Sequence, residues 1–454
     1  MDAFVRSDIE VTERTRRSSG YRSPRYGYAP LVVTAIYVSV SACLFALGPY
    51  SEIDDNDWQV YGYLGLIILA FSIGYFFGLH SQTERVIASV RRFGAPKTDL
   101  LLALGGLWLL VYSVLYMSTL NILSISEIVD SVTNPRDAYY AKFDFDEMGY
   151  NVSAFQIANI GGIFYYITVP ILFLTWRSAS RVARVIAVVG LCSYLIYNLG
   201  IGTQKGVVDT VVMTVVCLIV VRTARASQSG KAVVSRRTLF VGLICVAILV
   251  IFVIYSLGMR TVDASYMMVL PRSRGIADGL SPVIGPDLAR GVVVLIAYIT
   301  QGYYALGLCF HLPWEWSYGI GGLKGLSSLL PQYFGVPDPF YVTYVFRAEG
   351  AFGWSSTENW HSIYPWLASD WSFPGLLVLV LLFGIFVSRL WYRILNEADW
   401  VDLSMMLCCA LIILYSPANN QIFQGRMSCY GVVGLVILYV FRSLSRVNSR
   451  GSIT

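Results

Sequence analysis

Runs of about twenty apolar residues recur along this chain, and no other feature limits its fold so tightly. A helix of that length crosses roughly 30 Å of hydrocarbon with its backbone N–H and C=O groups bonded internally. Such runs lie near 29–48, 59–79, 100–120, 155–176, 184–200, 206–222, 238–258, 374–391, 400–417 and 426–443. Composition agrees. Of all residues 56% are hydrophobic and 13% charged, against roughly 25% charged in soluble domains, and mean hydropathy is +0.61. Ten-residue stretches of alternating polarity are absent, which argues against a membrane β-barrel. The expected fold is all-α, a polytopic integral membrane protein.

Charge orients the spans, because cytoplasmic loops collect Lys and Arg. The loop at 80–99 carries Arg85, Arg91, Arg92 and Lys97; that at 177–184 carries Arg177, Arg181 and Arg184. The loop at 222–237 carries Arg222, Arg225, Lys231, Arg236 and Arg237, and Arg393, Arg442, Arg446 and Arg450 follow later. The loop at 49–58 instead holds Glu52, Asp54, Asp55 and Asp57 with no base. Residues 1–28 hold six arginines and no small-residue cleavage site, so they read as a retained cytoplasmic tail. Both termini are expected in the cytoplasm. The net charge of +5 follows from these loops and does not call for nucleic acid as a partner.

One apolar run disturbs the count. Residues 290–311 are long enough to span, yet a lone extra crossing would put the basic C-terminus outside. Either they form a re-entrant or surface-lying helix, giving ten spans, or residues 314–335 cross back, giving twelve. Glu315, Lys324 and Pro331 weigh against that second crossing, so ten is favoured. The chain then divides into a basic tail (1–28), N-terminal spans (29–258), a long extracytoplasmic region (259–373), three closing spans (374–443) and a short tail (444–454). A connector as long as 259–373 carries function more often than it merely joins spans.

That region holds His361, one of three histidines, followed by Tyr364, Asp370 and Gly375 at the start of a span. A neutral imidazole is the natural proton acceptor near neutral pH. Within one straight helix, residues 361 and 370 would stand about 13 Å apart along the axis, too far for a dyad. The outer face also gathers cations where few are expected: Lys205, Arg260, Arg272, Arg274, Arg290, Lys324, Arg347 and Arg426. Guanidinium and ammonium groups at a membrane surface suit phosphate or pyrophosphate. Pairing with outer acids such as Glu349 and Glu358 is the alternative use. Lys205 ends a glycine-rich turn, Gly200-Ile-Gly-Thr-Gln-Lys-Gly206, that opens a span. Asp144, Asp146 and Glu147 form an acidic stretch without the spacing of an ion-binding loop, so no metal is expected. The eight cysteines show no C-x-x-C and fit small core residues. Walker, G-x-S-x-G and H-E-x-x-H motifs are absent.

At these residues the chain resembles the superfamily of O-antigen polymerases (oligosaccharide repeat unit polymerases) and O-antigen ligases of bacterial polysaccharide assembly. His361-Ser362-x-Tyr364 with Asp370 and Gly375 is similar to the family pattern of His, Asn or Ser, an aromatic, an acid and a glycine before a span. Gly202-Thr-Gln-Lys-Gly206 resembles the family's Ser-Arg-Gly turn, with Lys205 in place of Arg. Arg290, then Pro313 and Gly319-Ile-Gly321, resembles an Arg followed by a Pro and Gly-x-Gly stretch. The likeness covers roughly residues 185–443.

The resemblance implies metal-independent glycosyl transfer at the outer face of a bacterial inner membrane, without a cofactor. The donor would be a polyprenyl-pyrophosphate-linked oligosaccharide, and chains would lengthen as exopolysaccharide or as the O-antigen of lipopolysaccharide. His361 is the expected general base. Lys205, Arg290 and one or more of Arg260, Arg272, Arg274 and Arg347 would neutralise the pyrophosphate, with Tyr364, Asp370 and Arg426 in support. Partners would include membrane lipid, a flippase and a chain-length regulator. A ligase transferring finished glycan, or a transporter of lipid-linked sugar, are the alternatives.

Overall fold

The computed structural model describes residues 26–52, 57–81, 95–119, 122, 124–134, 153–229, 236–260, 271–396 and 399–451. Helices dominate, and the described residues contain no strand. In chain order they are α1 (Ala29–Leu47), α2 (Asp57–His80), α3 (Ala95–Thr119), α4 (Ile125–Thr133), α5 (Ser153–Ile160), α6 (Ile163–Thr175), α7 (Arg181–Gly200), α8 (Lys205–Ser229) and α9 (Arg236–Arg260). There follow α10 (Pro271–Ile284), α11 (Pro286–Phe310), α12 (Lys324–Ser327), α13 (Tyr344–Phe352), α14 (Ile363–Asn396), α15 (Trp400–Tyr415), α16 (Gln421–Gln424) and α17 (Arg426–Gly451). Eight of them, α1, α2, α3, α7, α8, α11, α14 and α17, are long and apolar enough to cross a membrane, and α6 and α15 are shorter apolar helices. The hydropathy pattern is thus carried by helices, as a lipid solvent requires.

One element differs from the sequence reading. The run 155–176, expected as one span, is two helices that meet at Gly161-Gly162. There the backbone turns through bonds from Gly161 N to Ala158 O (3.2 Å) and Gly162 N to Asn159 O (3.0 Å). The Trp108 indole fills the place a side chain at 161 would need, and its Nε1 donates to the Ala158 carbonyl at 3.0 Å. Hydropathy cannot register that wedge. Residues 314–335, whose crossing a twelve-span count requires, form only α12 (four residues) and a five-residue turn, Leu330–Phe334. Neither reaches across a bilayer.

The apolar run 290–311 belongs to one unbroken 25-residue helix, α11, and its neighbours show how it lies. Its first turns pack on the end of α9, where a Cβ on Gly291 would strike the Ile254 carbonyl. Its middle meets the end of α1: Tyr303 Oη bonds Ser41 Oγ at 2.8 Å, and the Phe45 and Tyr303 rings stand 5.8 Å apart. Its last residue, Phe310, lies 5.5 Å from Tyr63 near the start of α2. The ends of α1 and α2 that it touches are joined by a short loop, so they share one end of the bundle. Helix α11 thus packs against residues near the ends of α9, α1 and α2.

The same end collects the chain between α7 and α8, the segment 312–362 and the turn 416–420. Basic side chains are paired at the opposite end. Arg393 meets Asp402 at 2.6 Å, Arg442 grips Asp399 with both terminal nitrogens, and Trp391 Nε1 donates to the Tyr26 carbonyl at 2.7 Å. One further feature shapes the first end. Helix α14 breaks at Ser372 (φ 62°, ψ 165°), and Ser372 Oγ accepts from Gly375 N at 3.3 Å, capping the second half.

Candidate functional site

His361 sits in the loop that joins α13 to α14, and backbone bonds fix it on both sides. Ser362 N donates to Gly302 O of α11 at 3.2 Å, and Ile363 N donates to Ser416 O after α15 at 3.1 Å. Trp360 N reaches Gln301 Oε1 at 3.4 Å, and the Trp360 ring stands edge-on to Tyr298 at 4.5 Å. Gly302 allows this approach, since a Cβ there would collide with Ser362 N and the Pro417 and Ala418 carbonyls. The result is an imidazole only 1% exposed.

Nε2 is buried and has no hydrogen-bond partner, and the Asn359 backbone is the polar group that favours a protonated ring. A neutral ring protonated on Nδ1 leaves the Nε2 lone pair available to accept a proton. Burial pushes the ring down to about 3; the Asn359 bond and the Glu349 carboxylate oppose that shift. At neutral pH the ring is therefore uncharged, the form a general base requires.

Around it stands a frame of paired groups. Glu349 on α13 accepts Ser356 N at 3.0 Å and Ser356 Oγ at 2.6 Å through Oε2. Those bonds, with the charge of Lys324, hold its carboxyl below the usual range. Lys324, at the start of α12, lies over the Phe340 ring at 3.8 Å, and burial pushes its ammonium down against the pull of Asp338 and Glu349. Asp370, on the first half of α14, is 5% exposed and accepts Ser317 Oγ, Gly321 N (3.1 Å) and Gly322 N (2.9 Å). Asn420 Nδ2 then bonds the Gly322 carbonyl at 2.7 Å. Asp370 thus fastens the strap 317–322 and makes no bond with His361.

The other expected residues divide by what they touch. Lys205 pairs with Asp209 one turn along α8 at 2.7 Å; Asp209 is 1% exposed and also accepts the Tyr415 hydroxyl at 2.5 Å. Tyr415 precedes Ser416, the acceptor of Ile363 N, so Lys205 and His361 border the same turn. Arg347 is occupied, with Glu315 at 2.6 Å, the Pro313 carbonyl at 2.8 Å and the Val342 carbonyl at 3.2 Å. Arg290 pairs with Asp287 in the first turn of α11. On α10, Arg272 reaches the Ala46 carbonyl at 3.3 Å and Arg274 is exposed. Arg426 bonds Ser328 Oγ at 3.4 Å and meets no carboxylate among the described residues. Tyr364 is in the core, stacked 6.5 Å from Tyr303. The Arg260 side chain and Asp144, Asp146 and Glu147 lie outside the described residues. Sequence reading treated Glu349 only as an outer acid and did not single out Ser356 or Gln301. No spacing could reveal them, because their relation to His361 arises from the fold.

The chain matches no protein-family model, no curated protein and no solved structure.

Proposed function

We propose that the chain is a glycosyltransferase of the bacterial inner membrane that polymerises polyprenyl-pyrophosphate-linked repeat units on the outer face. Its ten spans would be α1, α2, α3, α5 with α6, α7, α8, α9, the second half of α14, α15 and α17. An even count puts both termini on the basic end, in the cytoplasm by the positive-inside rule. His361 then faces outward.

The observation that carries this reading is the buried, neutral imidazole whose Nε2 has no partner. In the proposed reaction an acceptor sugar hydroxyl attacks the anomeric carbon of the donor. Its proton passes to Nε2, and the bond from that carbon to the pyrophosphate oxygen breaks. A bound pyrophosphate raises the proton affinity of the ring by its charge, in the direction in which Glu349 already acts. Lys324, Lys205 and Arg426 would meet the leaving group, where fixed positive charge is worth most. The pyrophosphate link itself stores the driving force, so no nucleotide is required.

A membrane-lipid substrate has further support. An apolar cavity of about 270 Å³ is bordered by both halves of the broken helix, through Ile363 and Leu367 and through Leu376 and Phe383. Leu376 to Phe383 covers about 10 Å of helix rise into the bundle. Its wall includes Ser416 and Leu323, neighbours of Tyr415 and Lys324, so a hydrocarbon chain there would bring its phosphate toward the imidazole.

The lipid-linked glycan profile of a deletion strain carrying the wild-type or His361→Ala chain tests the proposal. The variant should leave single repeat units on the polyprenyl carrier. Long glycan accumulating on the carrier would indicate a ligase, and single units trapped on the cytoplasmic face a transporter.

A further inference from the structure

We propose that Glu349 is the positioning residue for His361: it clamps the loop that carries the imidazole and supplies the countercharge that forms a pair with the ring once it has taken a proton. This rests on the base role of His361 given above.

Three observations carry it. The first is the clamp. Helix α13 is anchored at its start by Thr343, which caps Phe346 N at 3.3 Å, and by Ser369 Oγ, which accepts Tyr344 N at 2.9 Å. It ends at Gly353 in the left-handed conformation (φ 68°), and the chain doubles back. Glu349 Oε2 then takes both the backbone N–H and the hydroxyl of Ser356. From Ser356 a compact turn leads to the imidazole, with Thr357 N (3.3 Å) and Glu358 N (3.1 Å) donating to Ser355 Oγ and Asn359 N to Ser355 O (3.2 Å). Asn359 supplies the backbone group that acts on the ring. A carboxylate thus fixes the turn that fixes the proton acceptor.

The second observation is the spare capacity. Glu349 Oε1 accepts no hydrogen bond among the described residues, and His361 Nε2 has none either. The third is the electrical setting. Glu349 is the one charged side chain acting on the ring. Other charges nearby are turned elsewhere: Asp370 to Gly321 and Gly322, Arg347 to Glu315, and Asp338 to Phe340 N at 3.0 Å. Lys324 partly offsets the charge of Glu349. A buried imidazolium is costly without a countercharge, and the Glu349 carboxylate is the charge that acts on this ring.

The chain has only three histidines, which makes the test direct. In a His80→Gln, His311→Gln background, ¹⁵N-histidine labelling reports on His361 alone. Glu349→Gln keeps an oxygen for Ser356 but removes the charge. It should displace the ring ¹⁵N signals, lower kcat about 10²-fold with KM within about twofold, and move the acidic limb of the kcat/KM profile to lower pH. Ser356→Ala keeps the charge but loosens the turn. It should mix the two tautomers, with Ser356→Thr restoring one. Ring signals and pH limb unmoved by Glu349→Gln would overturn the proposal, as would identical effects of Glu349→Gln and Ser356→Ala. If the parent chain shows no polymerisation, the base role fails, and the ring signals alone decide on Glu349.

Discussion

Protonating His361 works against the fold, and this gives the residue a signature independent of catalysis. The ring takes its proton near pH 6.5 when unfolded and at about 3 when folded. Between those values the unfolded chain binds more protons, so stability falls as pH drops through the window and is unaffected above it. Melting temperature in detergent should therefore decline from pH 6.5 towards 4, and His361→Gln should flatten that decline. Asp370 has a different signature. Alanine there strands the Ser317, Gly321 and Gly322 donors, a loss on the order of 3 kcal/mol, visible as a lower melting temperature at any pH. Sequence alone pointed to both side chains, since a lone histidine and an acid before a span are conspicuous. It could not show that Asp370 fastens a strap 50 residues upstream, or that Glu349 serves the histidine. The first set joins α14 to the strap 317–322 and the second joins α13 to the turn at Ser356, and no spacing in the sequence announces either.

Among the elements, α8 and α14 carry the consequences that are simplest to measure. Lys205 and the buried Asp209 form a pair in which only the lysine meets solvent. Lys205→Met leaves the carboxylate uncompensated and should cost about 1–3 kcal/mol, discounted because the lysine is a third exposed. Adding Asp209→Asn should recover part of that loss, a coupling that a double-mutant cycle would detect. In α14, Ser372 holds a backbone conformation that suits glycine, and it also caps the second half. Ser372→Val removes the cap and adds a branched side chain at positive φ, so it should lower the melting temperature more than Ser372→Gly. Spans were legible wherever an apolar run faces lipid on an uninterrupted helix. Helix α11 is ambiguous for a physical reason: packing against other helices asks for the same apolar residues as packing against lipid. The break between α5 and α6 was hidden because its cause, Trp108, comes from another helix.

For the whole molecule, one end ties Arg393 and Arg442 to Asp402 and Asp399, while the other assembles His361, Glu349, Lys324 and Lys205 near the turn after α15. That polarity predicts labelling from opposite sides of the membrane. A cysteine at Glu358 should react with an impermeant maleimide in intact cells, and one at Asn396 only after permeabilisation. The all-helical class was readable from hydropathy, whereas the pairing of Arg347 and Lys205 with acids was not. The most direct measurement uses the purified chain in liposomes with a polyprenyl-pyrophosphate-linked repeat unit as the only glycan. Wild-type protein should turn single units into a ladder without added metal or nucleotide, and His361→Ala, folded to the same melting temperature at neutral pH, should leave single units. A full ladder from the alanine variant would contradict the account.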